Sequence, residues 1–255
     1  MKVLILCGGQ GTRAYPFTRR MPKALMPVAG LPILEQVMRI YASQGFDEFV
    51  LAVGFLKEDI IRYFRTRQTP FKVECVDTGA TTDTGGRVRQ CLDFVTDTFH
   101  ATYCDGLGDV DLGALVDFHR RHGDGATVTA APLRSQYGIL QSDDNDRITE
   151  FVEKPILRGY WINAGFFVFD RAAFDGIDGE NLERDVLPDM ARRGRLRVHR
   201  HQGFWRSMDT HKDQQELDGV WRPFAAKLDT AFPDDEGVPG WLNTRYAMAR
   251  RGVSG

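Results

Sequence analysis

The four cysteines, Cys7, Cys75, Cys91 and Cys104, include no C-x-x-C pair. That absence excludes a zinc ribbon or a disulfide framework and fits reduced thiols. Also missing is any apolar run of the ~18 to 20 residues that a membrane span needs, so no membrane partner is expected. Met1-Lys2 leads straight into a core-like strand without a secretory pattern, which points to the cytoplasm. Neither charge sign dominates: 33 Lys and Arg stand against 35 Asp and Glu, so the basic footprint of a nucleic-acid binder is lacking and no nucleic-acid partner is expected. Internal repeats and low-complexity tracts are absent too. What remains is an ordinary apolar and aromatic content, enough for a globular protein with a substantial core.

What is there begins with Val3-Leu4-Ile5-Leu6, a buried-strand pattern that ends abruptly in Cys7-Gly8-Gly9-Gln10-Gly11-Thr12-Arg13. A loop with so little Cβ lets a ligand approach the backbone, and its N–H groups converge on one point. Arg13, and Lys23 in Met21-Pro22-Lys23-Ala24, add two positive charges. A nucleoside polyphosphate is the expected ligand. The spacing is G-G-x-G-T-R rather than the G-x-G-x-x-G of a dinucleotide site, Pro16 and Pro22 forbid a long helix after it, and no Lys-Ser or Lys-Thr makes it a P-loop. A plain tight turn is the remaining alternative.

Apolar residues at helical spacing over 31–41, stopping near Gly45, predict a helix, and 48–54 predicts a buried strand. A second helix over 59–64 and a third strand over 71–76 continue the alternation. This rhythm predicts an α/β fold, a Rossmann-like, mostly parallel sheet flanked by helices, with ligands beyond the carboxyl ends of its strands. A small additional β/α region follows it. The catalytic domain is expected over residues 1–222, and a C-terminal appendage, helical over 244–251, over 223–255.

Several side chains fall where chemistry is expected. The Gly/Thr loop 77–87 places Thr82 and Arg87 before an amphipathic stretch over 88–94, able to meet a base edge or a phosphate. Asp105 follows a strand over 101–104 and is the first candidate ligand for Mg²⁺, which takes one or two carboxylates plus phosphate oxygens. Asp111 reads better as the cap of a helix over 112–122. Alternation over 148–152 predicts one buried face and brings Glu153-Lys154 to a strand mouth, able to grip a sugar diol and a phosphate. Asn163, a lone amide in the apolar run 160–169, suits either sugar hydroxyls or a structural hydrogen bond. The basic strand 196–201 reads as a solvated edge, with no role for His199 or His201. Asp209 is either a helix cap or the second carboxylate of the Mg²⁺ site.

Taken together, G-G-Q-G-T-R, P-K, V-D-T-G, T-G-G-R, Tyr103 to Asp111, Asp117-Phe118-His119, Glu153-Lys154-Pro155, the run 162–168 and Met208-Asp209-Thr210 resemble the sugar-phosphate nucleotidyltransferases, most of all the glucose-1-phosphate cytidylyltransferases. The resemblance implies the nucleotidyltransferase fold and an enzyme that couples CTP to a sugar 1-phosphate, releasing pyrophosphate. It implies Mg²⁺ at Asp105 and Asp209. It further implies nucleotide contacts from Leu6, Gly8, Gly9, Gly11, Thr12, Arg13, Lys23, Thr82, Arg87 and Cys104, with Arg13 and Lys23 catalytic. Sugar-phosphate contacts fall to Glu153, Lys154 and Asn163, and a homo-oligomer is implied. The chain departs from the pattern in its short connection between Phe64 and Phe71, where the family has a longer insertion expected at subunit contacts. Cys104 stands in place of a Gly and is expected to crowd the ribose, and Ala164 replaces another Gly. Use of dTTP, UTP or GTP, a different phosphorylated or phosphonate acceptor, or a silent nucleotide-binding regulator are the competing readings.

Overall fold

A computed structural model describes residues 1–123, 125–232 and 237–251. In chain order the strands are β1 (Val3–Leu6), β2 (Pro27–Val28), β3 (Leu31–Pro32), β4 (Glu48–Val53), β5 (Lys72–Asp77), β6 (Thr98–Tyr103), β7 (Gly106–Gly108), β8 (Ala126–Arg134), β9 (Ile139–Ser142), β10 (Ile148–Val152), β11 (Ile156–Asp170), β12 (Leu196–Arg200) and β13 (Trp205–Ser207). The helices are α1 (Ile33–Ala42), α2 (Lys57–Thr66), α3 (Thr84–Gln90), α4 (Leu112–His122), α5 (Leu187–Arg192), α6 (His211–Asp229) and α7 (Gly240–Arg251).

Seven strands form one sheet in the order β12-β8-β11-β6-β1-β4-β5. β1 pairs in parallel with β4 and β6, β4 with β5 and β12 with β8, while β11 runs antiparallel to β6 and β8. The expected mostly parallel α/β sheet is what forms. Successive residues of β1 serve opposite faces: Val3 and Ile5 enter the core with α1, α2, α6 and α7, Leu4 and Leu6 the core with α3 and α5. Because β4 leaves β1 on one side and β6 lies on the other, the carboxyl end of β1 is a topological switch point, where such sheets open a crevice.

One expectation is corrected. The β9–β10 pair binds only its own two strands and has no layer packed on it among the described residues. Ile148, Phe151 and Val152 are exposed together rather than buried on one side. Helix α6 runs through Pro223, past the boundary expected at 222, to Asp229. Gly219, with no side chain, stands four residues before the proline, where its ring crowds the preceding turn. Trp221 and Ala225 of α6 and Leu242 and Ala249 of α7 are buried in the main core. The C-terminal elements are thus part of the body, although 233–236 and 252–255 of the expected appendage lie outside the described residues.

Among the described residues, no helix is long and apolar enough to cross a membrane.

Candidate functional site

The loop after β1 is shaped by what stands beside it. Gly11 takes a left-handed φ of +60° before a 3-10 turn, Thr12–Ala14, and Thr18 Oγ1 donates to its carbonyl at 2.8 Å. Gly9 faces open space, whereas Gly8 faces Arg87: a Cβ there would come within 2.0 Å of Nη1. Arg87 is buried and donates to Gly8 O (3.0 Å), Thr78 Oγ1 (2.5 Å) and Val53 O (3.4 Å). Burial lowers its pKa. Its guanidinium thus ties the glycine loop to the neighbouring strand β4 and to Thr78.

Four charged groups meet at the mouth of the crevice. Lys23 Nζ donates to Asp105 Oδ2 at 2.6 Å and to Asp209 Oδ1 at 3.2 Å, and Arg13 Nη2 reaches the same Asp209 oxygen at 3.0 Å. Burial by itself depresses the Lys23 ammonium, but the field and hydrogen bond of Asp105, with Asp209 behind them, outweigh it and raise the pKa. Lys23 is therefore a cation. The Lys23 side chain is 10% exposed and that of Arg13 72%, so the lysine is held while the arginine is open to a ligand.

Asp105 and Asp209 meet although 104 positions of chain separate them, because β7 and β13 form a small antiparallel ladder that clasps both segments. Met208 N donates to Asp105 O at 2.8 Å. Helix α6 is capped by Thr210 and Asp213 in a reciprocal capping box, which leaves the Asp209 carboxylate to the cluster. Asp111 caps α4 as expected.

The other predicted residues divide. Leu6 ends β1 in the core, Thr12 is exposed beside Arg13, and Thr82 lines the loop before α3 near Gly79 and Gly86. Cys104 turns its side chain into the core with Leu107, and burial pushes its thiol up to about 12. Asn163 sits in a bulge of β11, its Oδ1 accepting from Gly165 N at 2.8 Å and its side chain also hydrogen-bonded to Tyr103. Glu153 and Lys154 are exposed after β10 and make no ion pair with the cluster among the described residues.

Sequence reasoning missed Tyr103 and Glu183. The Tyr103 hydroxyl and Thr84 Oγ1 both donate to the Glu183 carboxylate, and the Tyr103 ring fills the place where Gly165, at φ +77°, has no Cβ. Trp205 Nε1 holds the same bulge through Ala164 O at 2.7 Å. No local pattern around Glu183 signals this, because its partners come from β6 and α3.

The donor set suits a hard cation. Two carboxylates stand together with no imidazole among their partners, and the adjacent thiol is buried and protonated. Among the described residues no third His, Cys, Asp or Glu joins them. The remaining positions would fall to phosphate and water, as is usual for Mg²⁺.

Fold and cluster together define a nucleotide-handling α/β protein. A family model described as nucleotidyl transferase matches residues 2–217, and the chain belongs to that family. It is 35% identical over 247 residues to the glucose-1-phosphate cytidylyltransferase of Salmonella typhi, a match taking in 87% of this chain and 96% of that protein. It is 32% identical over 217 residues to the UTP–glucose-1-phosphate uridylyltransferase of Synechocystis sp., covering 76% and 56%. Among solved structures, HddC from Yersinia pseudotuberculosis shares the fold with a TM-score of 0.68 at 19% identity, covering 86% of this chain and 99% of that one.

Proposed function

We propose that the protein transfers a cytidylyl group from CTP to a sugar 1-phosphate, glucose 1-phosphate first among candidates, giving a CDP-sugar and pyrophosphate. The observation that carries this reading is the cluster of Arg13, Lys23, Asp105 and Asp209 beside the glycine loop. The 35% identity to a cytidylyltransferase over nearly its whole length supports the choice of CTP.

The sugar phosphate oxygen attacks the α-phosphorus and pyrophosphate leaves. Bringing a dianion within ~4 Å of a singly charged α-phosphoryl costs about 8 kcal/mol at an effective dielectric of ~20, so charge neutralisation outweighs acid–base work. A phosphate nucleophile needs no general base. Asp105 and Asp209 would hold Mg²⁺, which when bound supplies Lewis-acid stabilisation of the phosphoryl oxygens. The exposed Arg13 takes the departing pyrophosphate, Lys23 the reacting phosphates, and the loop amides orient the triphosphate. Glu153 and Lys154 form the sugar-phosphate side together with Asn163, and Thr82 borders the base.

A panel of CTP, UTP, dTTP and GTP with glucose 1-phosphate, read by pyrophosphate release, tests this. Release highest with CTP is expected. A preference for UTP, or nucleotide binding without release, would replace the reading with the corresponding alternative. We also place the protein in the cytoplasm, on its free thiols, and as a homo-oligomer, on the exposed apolar arm β9–β10. Leu140, Ile148 and Phe151 of the arm, with Tyr137 before it and Ile156 and Tyr160 of β11, are each at least half exposed, and a lone two-stranded hairpin is marginal in water unless something covers it.

A further inference from the structure

We infer that Lys23 is a place-holder: its ammonium and a divalent cation are alternative occupants of the ground between Asp105 and Asp209, so the metal enters only once a polyphosphate has drawn the lysine away. The inference rests on the reading of those two aspartates as metal ligands.

The geometry is specific. One ammonium bridges both carboxylates, at 2.6 Å from Asp105 Oδ2 and 3.2 Å from Asp209 Oδ1. The ammonium fills the space between these two oxygens, and a dication drawn to the same pair would lie against it, so like-charge repulsion and contact make the two occupants alternatives there. The lysine is not a mobile surface group. It belongs to the 3-10 turn Lys23–Leu25, and its stem lies against Gly11, where a Cβ would come 3.0 Å from Lys23 Cβ and 3.4 Å from Cδ. The wall that holds the stem is thus the phosphate loop itself. An anion seated on that loop arrives beside the ammonium and competes for it.

Charge balance favours the same order of events. Two carboxylates and the cations Lys23 and Arg13 cancel within the cluster. A bare dication would enter against two positive charges already in place, whereas a polyphosphate brings a surplus of negative charge and gives both cations another partner. The nucleotide therefore opens the site that its own metal occupies. The same arrangement keeps two carboxylates from facing each other unneutralised.

Mn²⁺ is the probe, with free Mn²⁺ read by room-temperature electron paramagnetic resonance. The proteins are wild type, Lys23→Met, Lys23→Gln and Asp105→Asn, each checked for a native melting transition. Without nucleotide, Lys23→Met is expected to bind Mn²⁺ with a Kd at least tenfold below wild type, and Lys23→Gln, which keeps a polar tip without the charge, to do the same. Adding a non-hydrolysable α,β-methylene CTP should bring wild type to the affinity of Lys23→Met, and Asp105→Asn should remove the site throughout. Wild type binding Mn²⁺ alone as tightly as both Lys23 variants, with Asp105→Asn still removing the site, would overturn the place-holder while leaving the two ligands standing. Binding no different from Asp105→Asn in every protein, with or without the analogue, would sink the metal reading itself.

Discussion

Gly8 and Arg87 show how a single buried side chain sets the shape of the glycine loop. The Arg87 guanidinium fills the volume that any Cβ at position 8 would enter, 2.0 Å from Nη1, with Gly54 N at 2.9 Å behind it. Gly8→Ala should therefore cost about 1 to 3 kcal/mol by overpacking a close contact, read as a lower urea midpoint with unchanged m-value. An unchanged midpoint would mean that the loop has slack. Arg13→Ala and Asp105→Ala act on the chemistry instead: each should lower kcat about a hundredfold or more, the scale of one lost transition-state contact. Wild-type turnover in either would remove it from the site. Gly8 to Arg13 and Lys23 were legible in the sequence because their meaning is local, glycines at a strand end followed by two cations. The role of Arg87 was not, since it depends on carbonyls of Gly8 and Val53 that only the sheet brings near.

At the scale of elements, helical spacing over 33–41 found α1 but not what its polar positions do. Glu35 and Arg39 stand four apart on a face that α2 and α6 cover, which leaves them 1% and 2% exposed. Tyr63 donates to the Glu35 carboxylate, Arg67 donates from Nε and Nη2, and Arg39 also pairs with Asp229 of α6. Removing one member of such a buried network strands the others. Glu35→Ala should cost about 3 to 5 kcal/mol in urea unfolding, and a loss under 1 kcal/mol would show that the pair is hydrated. The arm fails in the opposite way. Period-two alternation located β10, but periodicity says nothing about whether a second layer exists to bury the apolar face. Phe151→Glu, on an exposed side chain, should leave folding intact and reduce the mass measured by light scattering. An unchanged mass would remove the arm as the self-association surface.

For the whole molecule, the order of β1, β4 and β6 decided where the site lies; the alternation of strands and helices predicted a parallel sheet with ligands beyond its carboxyl ends, but not that order. The closing contacts were not legible either. Phe17, just past the glycine loop, stacks on His211 of α6 at 4.2 Å and on Tyr246 of α7 at 6.3 Å. Segments at opposite ends of the chain thus support one loop. The same packing sets the response to acid. His100, in the middle of β6, is fully buried against Tyr41 and Phe46, with the amino terminus and His119 as the charged or titratable groups acting on it. Burial pushes its pKa down to about 3, against a smaller upward pull from the Phe167 backbone. An unfolded chain takes up this proton near pH 6.5 and the folded one refuses it, so the unfolded state binds more protons between those values. Stability is then fully present above pH ~6.5 and falls as pH drops, by up to about 1.4 kcal/mol per unit for this group. His199 and His211, also lowered by burial, add slope of the same sign. Urea unfolding of His100→Phe across pH 4.5 to 7 should lose one proton's worth of that slope relative to wild type. A variant that follows the wild-type curve at every pH would show that His100 accepts its proton in the folded protein.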